Sequence, residues 1–305
     1  QKTFGKHGEL SNPFAFGYFP DMRHHDVKRF THTFAIYEST EFPARYHNKL
    51  FGVNPIENYV VLSQLLPDGS SLRTEDIANV LQPSAGDRAD WFTPVDIQLA
   101  PDGSLFVADW FSVQANHYRN HEGETNPDLG RVIRLRGRDM DSPQTINLES
   151  IDSRALVDQF LTHPNRWYRQ QALRILADRR DANLASLLLT NIRKHQGQLA
   201  LESLWALHLT TGLSKTQMLE FFEHPNPHVR RWTVRLWGDF PNQTDDRTTS
   251  AVAELAATET DVEVMSQIVC TAKRLPATRC AAILRSVLQR DEFAKFWALK
   301  WGDLL

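Results

Sequence analysis

Between Trp91 and Phe111 the chain alternates in hydrophobicity. Val95, Ile97 and Leu99 are apolar and Asp96 and Gln98 polar, the two-residue period of a strand with one buried face. Pro101-Asp102-Gly103-Ser104 follows. Its proline presets φ, its aspartate bonds locally and its glycine tolerates the left-handed region, which predicts a tight turn. Leu105–Trp110 predicts the returning strand, and Gly130–Leu135 (GRVIRL) a third strand after a polar loop. Similar apolar runs occur upstream at Thr31–Glu38, Asn48–Val53 and Tyr59–Leu66, with a second PDGS turn at Pro67–Ser70. Strand, turn, strand, loop, strand is how one blade of a β-propeller is written. Residues 1–145 are therefore expected to form two to three consecutive blades of roughly 45 residues each.

From about Ser153 the pattern changes to Leu, Ala, Arg and Gln at helical spacing, after a linker at Met140–Asn147 (MDSPQTIN). This half repeats itself. HPNRWYRQQALRILAD (His163–Asp178) aligns with HPNPHVRRWTVRLWGD (His224–Asp239) at an offset of 61 residues. His163/His224, Pro164/Pro225, Asn165/Asn226, Arg169/Arg230, Arg174/Arg235 and Asp178/Asp239 are identical pairs. A weaker copy, Leu199–Leu207, lies between them, and Asp261–Leu275 continues the series. A period near 30 residues, each unit two short helices, predicts a HEAT-like α-solenoid over residues 146–305. Asn165 and Asn226 are expected to cap the helices that follow them. The first of these helices should bury Tyr168, Ala172 and Leu176 and direct Arg169 and Arg174 elsewhere. His163 and His224 read as hydrogen-bonded turn residues.

Composition narrows the function classes. At 305 residues and 35.0 kDa the chain has material for about two domains. A net charge of −3 argues against a nucleic-acid partner, which demands a basic face. No apolar run approaches the roughly 18 residues of a membrane span. Gln1 is not an initiator methionine, so the chain is expected to start inside a longer protein, and the lack of a signal peptide says nothing about compartment. Cys270 and Cys280 sit in apolar helical context and read as two small buried hydrophobes or as one disulfide.

The segments HDVKRFTHTFAIYEST (His25–Thr40), RYHNKLFGVNPIENYVVLSQLLPDGSSLRTED, WFTPVDIQLAPDGSLFVADW and GRVIRL, followed by HPNRW, resemble the membrane-bound dehydrogenase-like proteins of planctomycetes. Those proteins join a six-bladed propeller, similar to that of quinoprotein sugar dehydrogenases, to HEAT-type repeats, often followed by a c-type haem domain. The resemblance implies that the chain is the C-terminal part of a six-bladed β-propeller plus solenoid, from an extracytoplasmic or periplasmic oxidoreductase. Such an enzyme oxidises a sugar or alcohol with PQQ and Ca²⁺ and passes electrons to haem c, here in a C-terminal domain the chain lacks. No residue matches the family's catalytic histidine, which belongs to an earlier blade.

Three residues are candidates for chemistry. The Asp96 carboxylate could ligate Ca²⁺, which prefers oxygen, or simply cap a strand end. His32 could act as a base near neutral pH or be a structural histidine. Arg131 could hold quinone carboxylates bidentately or form an internal salt bridge. His117, His121 and Glu122 cluster in one polar loop without the spacing of an established metal site. Trp110 is expected in the core between blades. The alternative to an enzyme is a non-catalytic scaffold whose propeller binds a glycan or protein and whose solenoid holds a protein partner on its concave face.

Overall fold

A computed structural model describes residues 33–83, 91–112, 128–138, 146–241 and 244–291. Strands precede helices, and the chain divides into two compact units, one formed by residues 21–178 and one that includes residues 179–305. His32, His117, His121 and Glu122 lie outside the described residues.

Among its described residues the first unit holds two antiparallel sheets. One runs β1 (Phe34–Ile36), β2 (Leu50–Asn54), β3 (Tyr59–Asp68) and β4 (Ser71–Leu81) in that order. The other runs β5 (Pro94–Leu99), β6 (Leu105–Asp109) and β7 (Arg131–Leu135). Neither sheet closes on itself, and the two contribute to one core. In it Phe51, Val53, Val60 and Leu62 of the larger sheet join Ile97, Leu105 and Val107 of the smaller. The expected partial six-bladed propeller is therefore wrong. Strand–turn–strand alternation reports only local antiparallel pairing, which any up-and-down sheet shares, whereas a propeller also needs blades repeated about a common axis. Trp110, expected between blades, is half exposed at 52%.

The second PDGS turn forms where the sequence places it, at Pro101–Ser104; at the first, Pro67 and Asp68 stay paired with Leu72 and Ser71 in the β3–β4 ladder and the turn is Gly69-Ser70 alone. Gly69 takes φ +60° in the β3–β4 hairpin and Gly103 takes φ +75° between β5 and β6, conformations that cost glycine little. Around the second turn the two sheets are tied together. The Tyr37 hydroxyl donates to the Gly103 carbonyl at 2.8 Å and accepts from the Phe42 amide at 2.9 Å.

The helical part of this unit consists of α1 (Ser153–Ala155), whose helix widens into a π turn over Leu156–Phe160, and α2 (Arg166–Arg179). α2 buries Tyr168, Ala172 and Leu176, as the spacing predicts. Its Asn165 cap also reaches the β-sheets, donating to the carbonyls of Ala100 at 2.9 Å and Pro101 at 3.0 Å.

The second unit contains α3 (Ala185–Lys194), α4 (Gln198–Thr210), α5 (Lys215–Phe222), α6 (Pro227–Trp237), α7 (Asp246–Thr258), α8 (Val262–Ala272) and α9 (Ala277–Leu288). α3 packs on α4, α5 on α6 and α7 on α9, while α6 meets α8 and α5 meets α7. The core here is Phe222, Val234, Trp237, Val252, Val264 and Ile268 with their neighbours. Among the described residues no helix is long and apolar enough to cross a membrane.

Candidate functional site

The register of the small sheet decides what Asp96 and Arg131 can do together. Asp96 pairs with Ala108, and Ala108 with Val132; Asp109 pairs with Arg131. Residues in register share a face and adjacent residues alternate, so Asp96 and Arg131 occupy opposite faces. Burial agrees. The row of Ile97, Val107 and Ile133 lies on the core side, whereas Val132 is 70% exposed on the Asp96 side. The two residues do not converge on one site.

Each is also occupied locally. Asp96 Oδ1 accepts from the Thr33 hydroxyl at 2.7 Å and from the Ile97 amide at 2.9 Å, and both carboxylate oxygens accept from the Gln98 amide at 3.3 Å. The Thr33 hydrogen bond leads the effects that hold this carboxyl below its usual range; burial opposes it, and the Gln98 and Ile97 hydrogen bonds add to it. The neighbours of Asp96 donate to it, as they do to a hydrogen-bonded carboxylate, whereas a Ca²⁺ shell needs about 6–8 oxygen ligands. Among the described residues no group of three or more His, Cys, Asp or Glu could hold a metal ion.

Arg131 is tied to Asp109, whose side chain is fully buried. Its Nε donates to Asp109 Oδ2 at 2.8 Å and one terminal nitrogen donates to the Trp91 carbonyl at 2.9 Å. Asp109 Oδ1 meanwhile accepts from the amides of Thr93 at 2.7 Å and Phe111 at 2.8 Å. The guanidinium lies 4.1 Å from the ring centroid of Phe111, a residue with φ +52°. Asp109 thus closes the end of the sheet, and a quinone carboxylate would have to compete with it for Arg131. Among the described residues, Asp96 and Arg131 are not placed to hold Ca²⁺ and PQQ in one site.

The repeated HPN-x-x-x-R motif is structural in both copies. His163 Nδ1 accepts from the Asn165 amide and His224 Nδ1 from the Asn226 amide, each at 3.0 Å. Asn165 Oδ1 then caps the Trp167 amide and Asn226 Oδ1 the His228 amide, each at 2.8 Å. The arginine six residues after the histidine folds back onto the turn. Arg169 donates to the carbonyls of His163 (2.7 Å) and Pro164 (3.1 Å), and Arg230 to those of His224 (2.8 Å) and Pro225 (3.1 Å). Contrary to the expectation from spacing, Arg169 is buried, and it pairs with Glu38; Arg230 pairs with Glu259 at 2.7 and 2.8 Å. Burial would raise the Glu259 carboxyl, but Arg230 and the amides of Asp261 and Thr260 outweigh it and hold the carboxyl low. Glu259 also stands where histidine stands in the other copies. Its Oε1 accepts from the Asp261 amide at 2.9 Å, and Asp261 caps α8.

Sequence reasoning passed over the groove between α5 and α7, a space of about 970 Å³. Lys215 Nζ lies 2.7 Å from Asp245 Oδ2, so the first residue of α5 meets the N-cap of α7 and the two helices run side by side in the same direction. Leu219, Phe222, Ala251 and Leu255 supply apolar lining. Glu223 ends α5 and Glu259 ends α7, and Glu254 and Arg247 project from α7 into the same space. Among the described residues no ion pair engages Glu223, Glu254 or Arg247. The signal available in the sequence was α7 itself, where Arg247, Ser250, Glu254 and Thr258 recur at helical spacing beside Ala251 and Leu255.

The model of a domain of unknown function, DUF7133, matches residues 11–139, a span that includes both sheets and ends before α1. No curated protein and no solved structure matches the chain.

Proposed function

We propose that this chain is a non-catalytic binding module whose contact surface for a protein partner lies on the helices of residues 179–305. The observation that carries the reading is the disposition of charge. Asp96 and Arg131 lie on opposite faces and are spent on internal hydrogen bonds, while the α5–α7 groove offers an apolar lining beside Glu223, Glu254 and Arg247, which no ion pair engages among the described residues. Unpaired charge around an accessible apolar surface is characteristic of binding sites.

Two measurements test this. The full chain is mixed with Ca²⁺ and PQQ and assayed for dye reduction with a panel of sugars and alcohols; neither saturable quinone binding nor substrate-dependent reduction is expected. A stoichiometric quinone complex with sugar-dependent reduction would overturn the reading in favour of a dehydrogenase. In cells of the source organism, a photo-crosslinking residue at Ser250 should trap a protein, and one at Val132 on the open face of the small sheet should not.

A further inference from the structure

The α5–α7 groove is electrically polarised, and the polarity identifies what it takes. α5 and α7 run in the same direction, so their C-terminal ends lie together, each carrying about half a negative charge from the aligned peptide dipoles. Glu223, at the end of α5, and Glu254, in the last two turns of α7, add two carboxylates to that end. Glu259 adds little, because Arg230 neutralises it at 2.7 and 2.8 Å. Arg247 stands at the other end, seven residues before Glu254 on the same helix, a separation of about 10 Å along the axis. Leu219, Ala251 and Leu255, all partly buried, lie between the helices as an apolar floor.

We propose that this groove receives a short segment of a partner protein that seats an apolar side chain on the floor and a lysine or arginine side chain against Glu223 and Glu254. The inference rests on the binding-module reading and names the partner's chemistry. A phosphate-bearing ligand is disfavoured, since the carboxylates and helix C-termini would repel it. A divalent cation is disfavoured because, among the described residues, no group of three or more His, Cys, Asp or Glu able to hold a metal ion is found. A carboxylate in the partner about 10 Å from its basic group, which three residues of extended chain span, would meet Arg247 and fix the direction of binding.

The test is selection of a displayed library of random nonapeptides on the full chain. Selected peptides should be enriched in a Lys or Arg near an apolar residue and should compete for a single site. Glu223→Lys with Glu254→Lys should weaken them at least tenfold, as should rising salt, while Glu75→Lys on β4 should leave binding unchanged. Circular dichroism melts check that the variants fold, and if the lysine pair does not, Glu223→Gln with Glu254→Gln decides by a loss of at least threefold. Failure to enrich any peptide, enrichment of acidic peptides, or binding undiminished in the charge variants would overturn the proposal. So would sedimentation showing a dimer that the charge variants dissociate, because a second copy would then be the occupant. If peptides fail while Ser250 or another helical position still crosslinks a partner, the binding-module reading stands and the groove assignment falls; sugar-dependent quinone reduction removes both.

Discussion

Gly69 and Gly103 are the third residue of the same PDGS sequence, yet they sit in different turns, Gly69 at the head of a two-residue loop and Gly103 behind the Pro101-Asp102 turn, and they answer to different constraints. A methyl group on Gly69 would meet nothing within 4 Å, whereas one on Gly103 would lie 2.4 Å from Glu41 Cγ and 2.9 Å from Ser39 Oγ. Both have positive φ, which costs a side chain about 1–2 kcal/mol. Gly69→Ala should therefore lose about 1 kcal/mol, and Gly103→Ala at least about 2, because the segment around Ser39 and Glu41 must also shift. Urea unfolding of the two variants checks the order. The turns were legible because turn chemistry is local; the difference between them was not, since it depends on what the fold packs against Gly103. The same limit applies to Asp96 and Arg131. Each stood out as a polar residue in a strand, but which of them share a face depends on the cross-strand register of β5, β6 and β7, which alternation within one strand does not reveal.

At the scale of the element, the HPN-x-x-x-R motif ties a helix start to whatever precedes it. In the second copy His224 Nε2 lies 2.8 Å from the Ile192 carbonyl and Asn226 Nδ2 contacts the Gln196 carbonyl, joining α6 to α3 and to the start of α4. Asn226→Ala removes both the cap and that tie and should cost about 1–2 kcal/mol. Glu259→Gln is expected to cost more, about 3 kcal/mol, because the Glu259 side chain is 2% exposed and Arg230 16%, and breaking a buried pair leaves one charge unmatched. The pH dependence has a definite sign. The folded Glu259 carboxyl lies below its usual value, so its contribution is complete above the unfolded carboxylate range and is lost as pH falls toward the folded pKa. His163, lowered chiefly by burial, acts in the same direction from the ordinary histidine range downward. Melting temperature should therefore fall on acidification below about pH 6.5, and Glu259→Gln should flatten the part below about pH 4.5. The caps were readable because they are short-range; the carboxylates that answer the two arginines, Glu38 and Glu259, lie 131 residues before and 29 residues after them, beyond any local pattern.

For the whole molecule, the order of strands before helices was legible, and six strands were located to within a few residues. β4 was not, because Glu75, Asp76 and Asn79 are poor strand formers. It is held by pairing with β3 along its length and by the Ser63 hydroxyl on Asp76 at 2.5 Å. Closure into a propeller could not be read at all, since it depends on how sheets meet. The division of the chain was equally hidden. Composition changes at the linker before Asn147, but residues 146–178 belong with the sheets, because Asn165 bonds to Ala100 and Pro101 and because Arg166 and Arg169 both pair with Glu38. A boundary chosen by composition would sever those bonds and strip the part-buried Glu38 of both its arginine partners. Residues 1–178 should accordingly melt at a higher temperature than residues 1–145, by roughly 3 °C for each kcal/mol the α2 contacts supply. Arg169→Ala within 1–178 should recover part of the difference in the direction of the shorter piece. Equal melting temperatures for the two pieces would show that α2 docks on the sheets without stabilising them, and residues 146–178 would then belong to the helical half in energy as well as in sequence.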